Sequence, residues 1–498
     1  MLRFVDIHRH LHLDAYAADL HLQPSVEALR ATAAEMPGLQ GRTVYAISST
    51  AKGGGVAEML PSQIGLLRDL GIDAHWIVIE PAEPAFFELT KRLHNAIHGG
   101  ARPAITAEDR ELYARVSRDA AAALAQHVTE RDLLLVHDPQ PAGAGSLVQQ
   151  RTGAQAVWRC HIGLDEQTDA TRDAWEFLRP WLEPYDRCVF SVAEYAPEFT
   201  RGRAVVIPPG IDPLSHKNRE LSVHKLTGIL QNAGLVRSEH PVLYPPFDEP
   251  ARRLGRDGSF HPAHELPDVG LLFRPIVTQV SRWDRLKGFG PLLEGFVRLK
   301  REGATAAESN RAGRRLQLTR LVLAGPDPES IADDPEGKAV LEELKRRWLE
   351  LDSGLQEEVA LLSLPMGSLK HNALIVNALQ RCSTIVVQNS LREGFGLTVT
   401  EAMNKGLFVI GTHAAGLRAQ IEHGVNGWLT DDPEEPDEIR DRLRAALGDP
   451  MLRINLGRNA RRRVGERFLS PVQLRAWLLL LQELLGGVRR MDTPVPPG

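Results

Sequence analysis

The sequence predicts a doubly wound α/β fold built twice, and three observations carry that prediction. Short β-branched runs alternate with longer amphipathic stretches along most of the chain. This is the βαβ pattern of parallel sheets covered by helices on both faces. The chain has 498 residues, too many for one ordinary core. Near the middle the alternation breaks at seven prolines, Pro241, Pro245, Pro246, Pro250, Pro262, Pro267 and Pro275. Prolines at that density argue against a long helix or a central strand.

The strands of the first half are expected at Thr43–Ser48, His75–Glu80, Leu133–His137, Ala156–Cys160, Cys188–Val192 and Ala204–Ile207. Those of the second half are expected at Ile276–Val280, Leu321–Ala324, Val359–Leu362, Thr384–Gln388 and Phe408–Gly411. Two sheets of five or six strands follow, each obeying the same winding rule. The expected division is an N-terminal Rossmann-like domain over 1–220, a proline-rich linker or insertion over 221–274, and a second Rossmann-like domain over 275–469. The stretch 241–275 is longer than a simple linker and reads as a functional loop, a packed irregular arm or disorder. The last helix, Pro471 to Leu485, is apolar enough to pack between domains and back onto the first. The tail from Thr493 to Gly498 is expected to fray.

Composition excludes several classes. Hydrophobic residues make up 43% and charged ones 25%, the balance of a globular chain. The net charge is -5, with no basic block of the kind that holds nucleic acid. Three cysteines, Cys160, Cys188 and Cys382, have no metal-ligand spacing and fit a reducing compartment. The N-terminus lacks the apolar stretch of a signal peptide. The apolar run Ala476–Leu481 is far shorter than the roughly 20 residues of a membrane span. A cytoplasmic location is therefore expected, with no membrane and no nucleic-acid partner.

Glu393 and Glu401 are the most informative pair. They flank Gly394-Phe395-Gly396, a turn between the strand candidate Thr384–Gln388 and a helical stretch from Leu397 to Lys405. A strand–turn–helix of this kind presents backbone N–H groups to phosphate. Two carboxylates beside such a site would repel phosphate and instead accept hydrogen bonds from hydroxyls on either side of it. A ligand with hydroxyls flanking phosphates is a nucleotide sugar. Arg282 and Lys287, in Ser281–Gly288, follow the first strand of the second half, where open α/β sheets bind ligands. They could neutralise a departing diphosphate; the alternative is a surface salt-bridge pair. Gly53, Gly54 and Gly55 follow the first strong strand and precede a helix ending near Leu70, with Pro61 expected in its first turn. Such a run lets a phosphate or sugar approach the backbone, or serves as a plain turn.

His137, Asp138 and Gln140 end one strand of the first half, and His161 ends another. Both clusters place polar groups at the rim of the first sheet. Three alternating histidines, His8, His10 and His12, share a face on which zinc could sit, but no later cluster completes a metal site. The acidic stretch Asp431–Glu438 reads as a solvated loop entering the helix after Pro436.

Several stretches resemble one family. In the first half they are SSTAKGGGVAEML (Ser48–Leu60), FFELTKRLHNAIHG (Phe86–Gly99), VHDPQP (Val136–Pro141), WRCHIGL (Trp158–Leu164) and IPPGIDPLSHKNREL (Ile207–Leu221). In the second they are VTQVSRWDRLKG (Val277–Gly288), VNALQRCSTIVVQNSLREGFGLTVTEAM (Val376–Met403) and HAAGLRAQIEHGVNGWL (His413–Leu429). Together they resemble the trehalose-forming glycosyltransferases, and the Glu393–Glu401 spacing resembles the Glu-x7-Glu motif of retaining family-four glycosyltransferases. The resemblance spans most of the chain and is densest over Val376–Met403.

The resemblance implies the GT-B fold, two Rossmann-like domains facing an interdomain cleft. It implies an enzyme, a retaining hexosyltransferase that moves glucose from ADP- or UDP-glucose to glucose and requires no cofactor. By position Glu393 would meet the donor sugar and Glu401 the ribose. Arg282 and Lys287 would hold the diphosphate with amides near Gly54, Gly55, Leu397 and Thr398. His161 would lie beside the donor sugar, and Asp138 and Gln140 on the acceptor side, so that Glu393, His161 and Asp138 surround the reacting groups. No metal ligand is implied, the partners are small sugars, and a homo-oligomer is left open. Another acceptor (a sugar phosphate or polyol), a retaining trehalose phosphorylase and a silent binding protein are the competing readings.

Overall fold

The computed structural model describes residues 2–7, 11–51, 54–237, 247–305, 311–330 and 335–486. His8, His10, Gly53, Pro241, Pro245, Pro246 and the tail 493–498 lie outside them. The chain divides into two compact units, Met1–Asp212 with Gly465–Gly498, and Pro213–Val464.

The first unit holds a sheet of seven strands. In chain order they are β1 (Leu2–Phe4), β2 (Thr43–Ser48), β3 (Asp73–Ile79), β4 (Leu133–His137), β5 (Gln155–Arg159), β6 (Arg187–Phe190) and β7 (Ala204–Val206). Their order in the sheet is β1-β3-β2-β4-β5-β6-β7, with only β1 antiparallel. The central strands are buried along nearly their whole length, as a sheet covered on both faces requires. From β2 the chain winds first towards β3 and then back through β4, so winding reverses between β2 and β4. At such a switch point the loops beyond the strand C-termini diverge and leave a crevice. The helix Gly54–Asp69 follows β2 there, and Asp138 follows β4. Pro61 is inside that helix, not in its first turn, because the helix already begins at Gly54. The helix Ser470–Leu484 packs against the helix Gln23–Ala34 within this unit, burying Leu474, Trp477, Leu478 and Leu481.

The second unit holds an eight-stranded sheet. The strands are β8 (Arg252–Leu254), β9 (Phe260–Pro262), β10 (Ile276–Val280), β11 (Arg320–Pro326), β12 (Val359–Leu364), β13 (Ile385–Val387), β14 (Val409–Thr412) and β15 (Trp428–Thr430). Their order is β15-β14-β13-β10-β11-β12-β8-β9. Val277, Leu321, Leu323, Val359 and Leu361 face one apolar core, and Ile276, Val322, Ala324, Ala360 and Leu362 face the other. This is the period-two alternation of strands buried on both sides. Where described, the stretch 221–274 carries the helix Val223–Asn232 and the antiparallel hairpin β8–β9 added to the sheet edge at β12. Winding reverses between β10 and β13, which sets the loops 281–288 and 388–396 side by side.

Candidate active site

Two buried amides tie those neighbouring loops together. Gln279, on β10, donates to the Lys287 carbonyl at 2.7 Å and accepts from the Asn389 backbone N–H at 3.0 Å. Asn389 in turn donates to the carbonyls of Gly288 and Pro433. Gly288 has φ 59°, and a Cβ there would stand 2.1 Å from the Asn389 carbonyl oxygen, so only glycine permits this approach. The clamp brings Lys287 Nζ to 2.8 Å from Glu393 Oε2, with both side chains nearly buried. The same carboxylate oxygen accepts from Ser390 Oγ at 3.0 Å, and Gln388 Nε2 donates to Ser390 Oγ and Ser281 Oγ. The two residues expected to meet sugar and diphosphate are thus one ion pair, fixed from behind. Arg282 stands exposed at the end of β10.

The helix Leu397–Asn404 begins at Gly396, in the left-handed region at φ 81°, and no side chain caps it. Its first amides, those of Leu397 and Thr398, carry the positive end of the helix dipole. Gln420 braces the turn by donating to the carbonyls of Phe395, Gly396 and Gly416. Glu401 lies on this helix, 5% exposed, with Lys217 Nζ 3.7 Å from Oε1. Lys217 comes from the segment 213–220, which Asn377 and Arg381 hold by bonds to the carbonyls of His216, Asn218 and Arg219. Behind Glu401, burial pushes the Lys405 amine well below its ordinary pKa, with the Glu401 charge opposing.

In the first unit, Asp138 follows β4 with φ 66° and ψ 177°, a conformation otherwise almost confined to glycine. It is fixed at three points. Its N–H donates to the Arg159 carbonyl at 2.8 Å, its carbonyl accepts from Trp158 Nε1 at 2.9 Å, and Oδ1 accepts from the His161 N–H at 2.9 Å. Burial raises its carboxyl to about 6, the His161 N–H and Arg159 pulling the other way. His161 is joined to His137 ring to ring at 3.0 Å. Burial, reinforced by Arg159, lowers His137 to about 3 and His161 well below its ordinary value. The Gln140 Oε1 is buried with no hydrogen-bond partner among the described residues. Gly54 and Gly55 open the helix after β2. His12 pairs with Asp69 at 2.9 Å.

Within the first unit Asp138, His161 and Gln140 lie beyond the ends of β4 and β5, and within the second Lys287, Glu393, Leu397, Thr398 and Glu401 lie in the loops and helix that follow β10 and β13. Sequence reasoning missed Gln279, Gln388, Asn389 and Ser390 as the supports of Glu393, and Lys217 and Lys405 around Glu401. The run Gln388-Asn389-Ser390 after an apolar strand was the available signal for the first group. Among the described residues, no group of three or more His, Cys, Asp or Glu is gathered for a metal, and no helix is long and apolar enough to cross a membrane.

Residues 272–463 match the family model of group 1 glycosyl transferases, and residues 46–197 that of the trehalose synthase N-terminal domain. An α,α-trehalose-phosphate synthase (UDP-forming) from Burkholderia xenovorans, solved in complex with glucose-6-phosphate, shares the fold with a TM-score of 0.62 at 15% identity, over 90% of this chain and 100% of that one. Fold and match together define a nucleotide-sugar glycosyltransferase of GT-B architecture. A trehalose synthase of Pyrococcus horikoshii is 36% identical over 90% of this chain and 91% of its own. The chain belongs to the trehalose synthase family. A trehalose phosphorylase of Pleurotus sajor-caju is 24% identical over 87% of this chain and 56% of its own.

Proposed function

We propose that the protein transfers glucose from ADP- or UDP-glucose to free glucose with the α-configuration retained, forming trehalose. The observation that carries this reading is the Lys287–Glu393 pair at 2.8 Å, set at the switch point beside an uncapped helix N-terminus. Cation, carboxylate and free amides are the three groups a sugar diphosphate needs at its phosphates and its sugar hydroxyls. In this reading Arg282, Lys287 and the amides of Leu397 and Thr398 take the diphosphate, helped by the backbone at Gly54 and Gly55. Glu393 accepts from hydroxyls of the donor glucose and Glu401 from those of the ribose. His161 lies beside the donor sugar; Asp138 and Gln140 meet the acceptor.

The acceptor hydroxyl attacks the anomeric carbon from the face the nucleotide leaves. The bond to the diphosphate breaks, and a leaving phosphate oxygen takes the acceptor's proton. The residues stabilise charge: negative on the diphosphate by Arg282, Lys287 and the helix amides, positive on the ring by the carboxylates. A second reading, phosphate-dependent cleavage of trehalose, is favoured by the match to the trehalose phosphorylase. Both are tested by one panel: ADP-glucose and UDP-glucose with glucose, glucose 6-phosphate or glycerol, and trehalose with inorganic phosphate. Trehalose from glucose and a nucleotide sugar is the expected result. Glucose phosphate from trehalose, without nucleotide turnover, would replace it with the phosphorylase reading.

A further inference from the structure

His137 is a buried ionisable side chain to which the proposed chemistry gives no task. It ends β4, one residue before Asp138, and is 2% exposed. Its Nδ1 lies 3.0 Å from His161 Nε2, with the two rings 14° from parallel. Its other nitrogen, Nε2, is buried and has no hydrogen-bond partner among the described residues. No group among the described residues takes the Nδ1 of His161.

These facts locate the protons. Burial and Arg159 keep both rings neutral, so each carries one N–H. A single proton stands between Nδ1 of His137 and Nε2 of His161. If His161 donated it, His137 would carry its own proton on Nε2, as a buried N–H with no acceptor. If His137 donates it, its Nε2 is a bare lone pair, and His161 carries its proton on Nδ1. An orphaned buried N–H is the rarer fault in folded proteins. The buried Arg159 guanidinium, whose charge acts on both rings and whose Nε–H is also without an acceptor, favours the lone pair again.

We propose that His137 is a positioning residue that fixes His161 as the Nδ1–H tautomer, so that His161 offers an N–H donor, not a lone pair, to a hydroxyl oxygen of the donor sugar. The ligand part of this rests on the reading of His161 given above. The tautomer itself does not.

The test is nitrogen-15 NMR of the full chain labelled at histidine, with His161→Gln and His137→Asn used to assign the two rings. The expected spectrum has a protonated Nδ1 and an unprotonated Nε2 on His161. A protonated Nε2 on His161 overturns the proposal. The second arm is kinetic. His137→Asn keeps an N–H donor near the place of Nδ1, and His137→Leu removes it. The Leu variant should lose about tenfold to a hundredfold in kcat, the scale of one transition-state hydrogen bond, with the Asn variant close to wild type. Equal turnover in the Leu variant overturns the proposal. If the Leu variant does not fold, the wild-type spectrum decides alone. The expected tautomer in a chain that turns over no nucleotide sugar upholds the assignment and overturns the functional reading instead.

Discussion

Asp138 bears two costs on one residue. Its backbone sits in a region that costs a non-glycine residue about 1–3 kcal/mol, and burial raises its carboxyl from 3.8 to about 6. One use of the side chain is visible, the oxygen that fixes the His161 N–H; on the proposed function the carboxylate also meets the acceptor. The sign of the pH dependence follows from the raised value. Between pH 3.8 and about 6 the folded chain keeps a proton at Asp138 that the unfolded chain has released, so this residue's contribution to stability is full below 3.8 and lost as pH rises through 6. Asp138→Asn removes the loss. Because the carboxyl is only partly buried, the gain over wild type is about 1–2 kcal/mol at pH 7.5 and absent near pH 3.5, as denaturant melts at the two pH values would read. Activity moves the other way. In wild type, kcat/KM for the acceptor should fall about tenfold per unit below pH 6, and the slow Asn variant should lose that limb. An acid limb of the same midpoint in the variant would assign it to another group.

At the scale of elements, the turn into the helix Leu397–Asn404 is where sequence and site meet most closely. A Cβ on Gly396 would lie 2.9 Å from Glu393 Cγ and 2.9 Å from Leu417 Cδ2, at φ 81°. Gly396→Ala therefore strains the backbone by about 1–2 kcal/mol and also displaces Glu393. Gly424→Ala is the control, because φ is 77° there but nothing lies within 4 Å. Both variants should melt earlier. Only Gly396→Ala should also lower kcat/KM for the nucleotide sugar, by about a hundredfold where both helix amides and carboxylate shift. Equal kinetics in the two would detach this turn from the donor site.

The same elements show what was legible. The long strands β2, β4, β10, β11 and β12 announce themselves as β-branched or leucine runs, and the Gly-Phe-Gly turn by its glycines. β1, β8, β9 and β15 have three residues each. β7 and β13 are as short but sit in apolar runs, Ala204–Ile207 and Thr384–Gln388, whereas these four have no such run and become strands through pairing at or near a sheet edge. The position of Asn389 after an apolar strand was a signal, but the clamp it makes with Gln279 was not legible, for a related reason. An amide in or after an apolar run reads as a polar interruption, and it becomes a clamp only once β10 and β13 are neighbours.

At the scale of the whole molecule, the chain does not complete its first unit until its end. Ile211 bridges Leu469, and the helix Ser470–Leu484 then lies on this unit's own elements. Arg475 Nε donates to Thr32 Oγ1 at 3.0 Å, Arg187 pairs with Glu483 at 2.6 Å, and Gln155 donates to the Leu484 carbonyl at 2.7 Å. Leu474, Trp477, Leu478, Leu480 and Leu481 are all buried. At about 1.5–3 kcal/mol for each such side chain, their burial is worth on the order of 10 kcal/mol. A whole domain is stable by only about 5–15 kcal/mol. A chain ending at Val464 keeps every residue of the second unit and removes this helix from the first. The first unit should then fail to fold at 25 °C while the second persists. Amide hydrogen exchange reads the two separately. Protection should vanish in β4, β5 and β6 and survive in β10, β11, β12 and β13. Loss in both sheets together would mean that the units fold as one cooperative body, and loss in neither would mean that the helix contributes far less than its buried surface implies.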